Sequence, residues 1–416
     1  MQFAVLGSGF ARQRVALLLA GTLAAGLPLW ATAGSANALA DSPPETPAVA
    51  ATAAWGDQHV VRTGTDPRRS GVNALARTAS GAITYLHAAT THDPGQGDSD
   101  GGIHFGRSAD GGATWGKARR LNGVTQDGVA PVIASSGSHV YVAWKRTVPG
   151  SSHSMIYVRR NRSHGLLSTW SDRIRLTSTT GRVGVPTIAA SGASVYVAYT
   201  DRAAGTVRLK VSRDRGVTWR STALATTTRR DGTPQVVAAG RNVGVFWVTG
   251  ATPSVKGRVS TDAGVHWTAT KTIGAGDVPS ARALGTRIVV AAGTNAGQPW
   301  VRTWTAGAWG VARLVPHASA TGAVWPIVAL RGTTQIGVAF SASYANPSAP
   351  EETLSRMTWV ESADGGASWG PGETVSTGGP WNDAPSVVWR STGALYVMWH
   401  VSYYDDGGHV AIRARL

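Results

Sequence analysis

The chain has 416 residues, a formal net charge of +16 and no cysteine. A chain of this length buries enough surface to fold without covalent staples, and the absence of thiols excludes disulfides and thiolate metal sites. The basic balance draws the protein towards polyanions. Its arginines, however, are scattered over strands and loops with no basic stripe or nucleic-acid reading motif, which argues against nucleic acid and leaves acidic polysaccharide or teichoic acid as the polyanions expected to attract it.

From the beginning of the chain, Arg12 and Arg14 precede an apolar stretch at 15–31, which runs into small residues with A-x-A sites at 36–38 and 38–40. This order is expected to be a secretory signal peptide over 1–40, and hence a secreted, extracellular protein. Residues 41–54, opening DSPPETP, read as a disordered leader. No later stretch approaches the ~20 continuous apolar residues of a membrane span, so residues 55–416 are expected to form a single domain without one.

That domain is written in repeats. The motif S-x-D-x-G-x-x-W occurs at 108–115, 212–219, 260–267 and 362–369. Short Ser and Asp side chains bond nearby backbone, glycine supplies a positive φ, and the closing indole needs an apolar slot, so each copy reads as a hairpin turn pinned to a sheet. Tryptophan-led strands follow at Trp115, Trp170, Trp219, Trp267, Trp309 and Trp369; those at Trp170 and Trp309 lack the Asp turn. Proline-led strands precede the turns at Pro131, Pro186, Pro234, Pro279, Pro326 and Pro385, with Asn73 heading a proline-free first copy. Proline is tolerated at the first residue of a strand.

A fixed turn with a period near 50 residues means a propeller or a solenoid. Each repeat holds four strands, but the last stops at a third strand, 410–416, while WGDQHVVR at 55–62 is a fourth strand with no partner before it. Pairing the two completes a ring and removes two exposed sheet edges. The fold expected is thus all-β, a β-propeller of seven blades with six as the alternative, closed by the N-terminal strand on the C-terminal blade.

The four Asp-box turns, the proline-led inner strands and the expected export together resemble the sialidase-like (BNR, or Asp-box) β-propeller superfamily, over 55–416. The resemblance implies a carbohydrate-active protein, in sialidases with three arginines on the substrate carboxylate, a tyrosine nucleophile with its glutamate, and an aspartic acid as acid/base. Those residues do not map onto this chain. The Arg-Ile-Pro opening is absent, its nearest text being DPRR at 66–69, and glutamate occurs only at 45, 351, 352, 361 and 373.

The resemblance also implies that ligands sit at the central funnel, on the face made by the loops that precede the inner strands and by those that follow the second strands, opposite the Asp turns. The first set offers Asp127, Arg182, Arg229, Arg230, Asp231, Asp277, Trp325 and Trp381-Asn382-Asp383; the second offers Lys145, Arg146, Asp201, Tyr344 and His400 with Tyr403, Tyr404 and Asp405. Trp381 beside Asn382 and Asp383 suits a sugar ring, whose apolar face stacks on an aromatic while its rim takes hydrogen bonds. Arg182, Arg229 and Arg230 could clamp a carboxylate by fork geometry. Hydrolysis would draw two carboxylates from Asp127, Asp231, Asp277 and Asp383. Elimination from a uronate would use His400 or Tyr403 as base.

The run DSDGG at 98–102 lacks the downstream glutamate of a calcium loop, and the histidines show no zinc spacing, so no metal or other cofactor is expected. The chain is expected to act as a monomer. The alternative to an enzyme is a non-catalytic glycan-binding or assembly propeller; an enzyme concentrates ionisable groups in one asymmetric site, and the funnel loops do differ from blade to blade.

Overall fold

The structure, a computed structural model, describes residues 54–63, 74–77, 83–91, 100–110, 114–116, 119–123, 128–230, 232–293, 298–316, 322–346, 348–377, 381–390, 392–402 and 408–416. The expected signal peptide and nearly all of the leader lie outside them, as do Asp127, Asp231, Tyr403, Tyr404 and Asp405. No helix among the described residues is long and apolar enough to cross a membrane. All described residues belong to one compact unit, Ala53–Leu416.

After β1 (His59–Thr63), the chain forms successive antiparallel meanders. The first is β2 (Ala74–Arg77), β3 (Ile83–Thr91), β4 (Asp100–Ser108) and β5 (Arg119–Arg120). The second is β6 (Gly128–Ser136), β7 (His139–Thr147), β8 (Ser154–Asn161) and β9 (Ile174–Arg175), and the third β10 (Thr187–Ser191), β11 (Ser194–Asp201), β12 (Thr206–Ser212) and β13 (Arg220–Thr226). The fourth is β14 (Gln235–Ala239), β15 (Asn242–Thr249), β16 (Ser254–Ser260) and β17 (Lys271–Ala275). The fifth comprises β18 (Asp277–Leu284), β19 (Arg287–Gly293) and β20 (Pro299–Thr305), with two short outer pieces, β21 (Ala308–Trp309) and β22 (Arg313–Leu314). The sixth is β23 (Gly322–Arg331), β24 (Gln335–Asn346), β25 (Ala349–Ser362) and β26 (Glu373–Thr374). The last joins β27 (Trp381–Trp389), β28 (Leu395–Ser402) and β29 (Gly408–Arg415) to β1.

The described strands thus make seven sheets. Their first strands touch in the cyclic order β2, β6, β10, β14, β18, β23, β27 and back to β2. This is the arrangement of a propeller, with the first strands around the axis. In the last sheet β1 pairs antiparallel with β29, His59 opposite Ile412 and Thr63 opposite His409, so that the two ends of the domain share one sheet.

The Asp turns join third to fourth strands. At Asp214, Oδ1 accepts from Ser212 Oγ at 2.7 Å and from the Thr218 N–H at 2.9 Å, Oδ2 accepts from Thr218 Oγ1 at 2.6 Å, and Arg215 and Gly216 take φ of +58° and +80°. Asp262 and Asp364 repeat the pattern on Ser260 with His266 and on Ser362 with Ser368. The indole that ends each turn reaches past its own sheet. Trp219 packs with Tyr141 of the preceding sheet, Trp267 with Tyr196, and Trp115 with Tyr396 across the closure. Each turn is therefore a wedge between blades as well as a cap on a hairpin.

These hydrogen bonds hold the carboxyls of Asp110, Asp214, Asp262 and Asp364 far below the usual carboxylate range, the hydroxyls and N–H groups of each turn being the main cause. A depressed native pKa gives stability that is complete above the unfolded value and fades as pH falls through the carboxylate range. Asp214→Ala is accordingly expected to lower the melting temperature at neutral pH, with the gap from wild type narrowing on acidification and glycan affinity unaltered. Thermal scans across pH check this; a gap that widened in acid would contradict it.

The sheet of β6–β9 has a different solution that its sequence hid. Asn161 stands at the serine position and accepts from the N–H groups of Ser163 and Gly165 at 2.9 and 3.0 Å, with His164 and Gly165 at φ of +52° and +80°. An asparagine thus closes the same left-handed turn. The proline-led strands also differ from expectation. Four of them begin two to four residues earlier, and proline follows a bulge residue, Ala130, Val278, Trp325 or Ala384, at which the register shifts. Proline cannot donate to the ladder, and a bulge is where a sheet accommodates that loss.

Candidate functional site

The starts of the first strands and the ends of the second strands lie at one end of the sheets, as the register of every pair requires. In the last sheet Asp383 of β27 stands directly opposite His400 of β28. The imidazole Nδ1 is 3.5 Å from Asp383 Oδ1; the histidine side chain is 6% exposed and the aspartate 32%. A nearly buried imidazole therefore lies behind a carboxylate that meets solvent. His409 on β29, which the sequence reading passed over, belongs to the same group: burial, reinforced by the nearby His400, holds it below the ordinary histidine value.

The neighbouring Asn382 ties this end of β27 to β25 and β28. Asn382 is fully buried; its N–H donates to Ser355 Oγ at 2.7 Å, its Nδ2 to the Ser355 carbonyl at 2.8 Å, and its Oδ1 accepts from Trp399 Nε1 at 2.8 Å. The expectation that Asn382 hydrogen-bonds a sugar rim is thus corrected, because both ends of its amide are already engaged and buried. Trp381, opposite Ser402 at the open end of β27, is half-buried.

Asp277 occupies the equivalent end of the fifth sheet. Gly276, at φ +132°, precedes it, and a Cβ there would overlap the Gly293 carbonyl oxygen, so only glycine allows the approach that sets Asp277 at the mouth. Asp277 Oδ1 accepts from the Val278 N–H at 2.8 Å, and Oδ2 lies 3.4 Å from Arg229 Nη1. Further along β18, Arg282 is half-buried; its Nη1 donates to the Ala281 carbonyl, and burial pushes its pKa down.

The three-arginine clamp is not what the structure assembles. Arg229 turns towards the Gly250 and Ala251 carbonyls and Asp277, whereas Arg230 turns back to the carbonyls of Arg202 and Ala203. Arg182 lines a cavity with Asp201, Arg208 and Lys210. The two consecutive side chains point apart because the loop between β13 and β14 straddles two sheets. Trp325, 39% exposed at φ +52°, and Tyr344, whose ring lies 4.0 Å beneath the Arg356 guanidinium, add aromatic surface on the sixth sheet. Among the described residues no group of three or more His, Asp or Glu side chains is placed to hold a metal ion.

No family model and no curated protein matches the sequence. Solved structures do match in fold. A leech intramolecular trans-sialidase superposes with a TM-score of 0.52 at 11% identity, covering 75% of this chain and 70% of that one. The α-L-arabinanase of Penicillium chrysogenum gives a TM-score of 0.52 at 13% identity over 87% of this chain and 98% of that one. Against a Hadza microbial sialidase the match spans 66% of this chain but 64% of that one, with a TM-score of 0.48 at 13% identity. The ring of antiparallel sheets, together with the superpositions on the trans-sialidase and the arabinanase, gives this chain a β-propeller fold.

Proposed function

We propose that this protein is a secreted carbohydrate-active enzyme that hydrolyses a glycosidic bond at an acidic or terminal sugar, with Asp383 as a reacting carboxylate and His400 as the residue that positions it. The observation that carries this reading is the Asp383–His400 pair, in which the acid is the solvent-facing member. Asp277, half exposed and held by Arg229, supplies a second carboxylate from another sheet on the same face. Glycoside hydrolysis needs two such groups on either side of the scissile bond. Trp381 and Trp325 supply flat apolar surface for a pyranose or furanose face. The trans-sialidase and the arabinanase that share the fold act on sugars by their names, which agrees with this assignment.

Elimination is the weaker route, since its base would be His400, whose 4% exposure leaves little access to a sugar C–H. Incubating the protein with aryl glycosides, arabinan, sialosides and uronate polymers separates the alternatives. New reducing ends without an unsaturated uronate chromophore support hydrolysis. Formation of that chromophore would instead make His400 or Tyr403 the base, and saturable binding without turnover would make the funnel a docking surface.

A further inference from the structure

A second site lies between the second and third sheets. There the face of β11 and β12 turned towards β8 and β9 leaves a cavity of about 210 Å³, whose lining includes Ser178, Arg182, Tyr199, Asp201, Arg208 and Lys210. At ~30 Å³ per water this holds roughly seven solvent molecules. The register explains the clustering. Tyr199 pairs with Arg208, Val197 with Lys210 and Lys210 with Ser221, so alternation sends Tyr199 and Asp201 from one strand, and Arg208 and Lys210 from the next, to the same face. Tyr199 forms a buried part of the lining, and its hydroxyl bonds to Ser221.

The charge in this cavity is unbalanced. Three cations line it against one carboxylate, and that carboxylate is already engaged, Asp201 Oδ2 with Arg208 Nε at 3.0 Å and Oδ1 with the Ala204 N–H at 3.2 Å. Lys210 has no ion pair among the described residues. Two like charges two residues apart on one strand repel when partly buried, and burial together with Arg208 pushes the Lys210 pKa down. An anion between Lys210, Arg208 and the exposed Arg182 would relieve both costs.

We infer that this inter-blade cavity is a binding site for a compact oxyanion, a sulfate, phosphate or carboxylate group such as an acidic glycan carries, three blades away from the Asp383–His400 pair. Arg208 and Arg182 supply planar donors suited to two oxygens, and Lys210 supplies a point charge from the cavity wall. The site would let the enzyme hold an acidic chain at a second point while the funnel works on its end.

Isothermal titration of the full protein at low ionic strength with sodium sulfate, sodium phosphate and sodium glucuronate tests this. Saturable binding of at least one anion is expected, weakened about 10- to 100-fold by Lys210→Met and by Arg182→Ala, the usual worth of a charged hydrogen bond. Arg313→Ala, an exposed arginine on another sheet, should bind as wild type, as should Asp383→Asn, which keeps this test separate from that of the funnel. The anion that binds most tightly identifies the group recognised, and chondroitin sulfate against polygalacturonate then tells a sulfated from a uronate polymer. No saturable binding in wild type, or wild-type affinity in a Lys210→Met protein with a native melting temperature, would overturn the proposal.

Discussion

Removing residues 410–416 is expected to abolish the cooperative unfolding transition of the whole ring, because this segment is the middle of the last sheet. Val410, Ala411 and Ile412 are buried, β29 pairs on one side with β28 and on the other with β1, and Trp115 of the first full sheet packs on the same cluster. Without β29, β1 loses its one sheet partner among the described residues, and the inter-blade contact that closes the ring goes with it. The terminal strand is also latched. Arg415, almost buried, pairs with Glu373 at 2.9 Å and with Glu361, both from the preceding sheet, and lies 5.5 Å over the ring of Trp55, whose Nε1 donates to Glu373 at 2.7 Å.

Burial pushes Glu373 up and Arg415 down, and the pairing offsets part of that desolvation for both. Arg415→Met would strand two glutamates against an apolar thioether and should cost about 3 kcal/mol, the lower end for a broken buried pair, since each glutamate side chain keeps about a quarter of its surface in water. Denaturant titration gives the number. A truncated protein with a wild-type melting temperature would rule out closure through β1 and β29.

The second large effect is on turnover. Asp383→Asn keeps the size and a hydrogen-bonding group beside His400 but removes the acid, and should lower kcat on the substrate found by the glycan screen by ~10²–10⁴-fold at unchanged melting temperature. His400→Gln, which retains a neutral donor but not the imidazole, should lower kcat less and shift the pH profile, as a positioning residue does. Equal activity in wild type and Asp383→Asn would remove this pair from the chemistry and leave Asp277, with Asp127 and Asp231, as the remaining acids.

The sequence by itself determined the features that close over a few residues or follow from the count of strands. Asp214 bonds partners two to four positions away, so its turn is legible wherever Ser, Asp, Gly and Trp keep their spacing. The joining of 55–62 to 410–416 was legible for a related reason, since each strand would otherwise leave a bare edge. Asn161 escaped because asparagine at the serine position reaches the same left-handed turn with different letters. What only the tertiary structure decided depends on register and on neighbouring blades. The bulge before Pro385 sets Asp383 opposite His400, 17 positions away, while Ser355 and Trp399 take up the Asn382 amide from strands that no local pattern aligns with it. Arg229 and Arg230 are adjacent in sequence yet serve different sheets, and Arg182 meets Lys210 only because two sheets pack face to face. Local hydrogen bonds fix turns; which side chains share a site is fixed by packing between segments far apart along the chain.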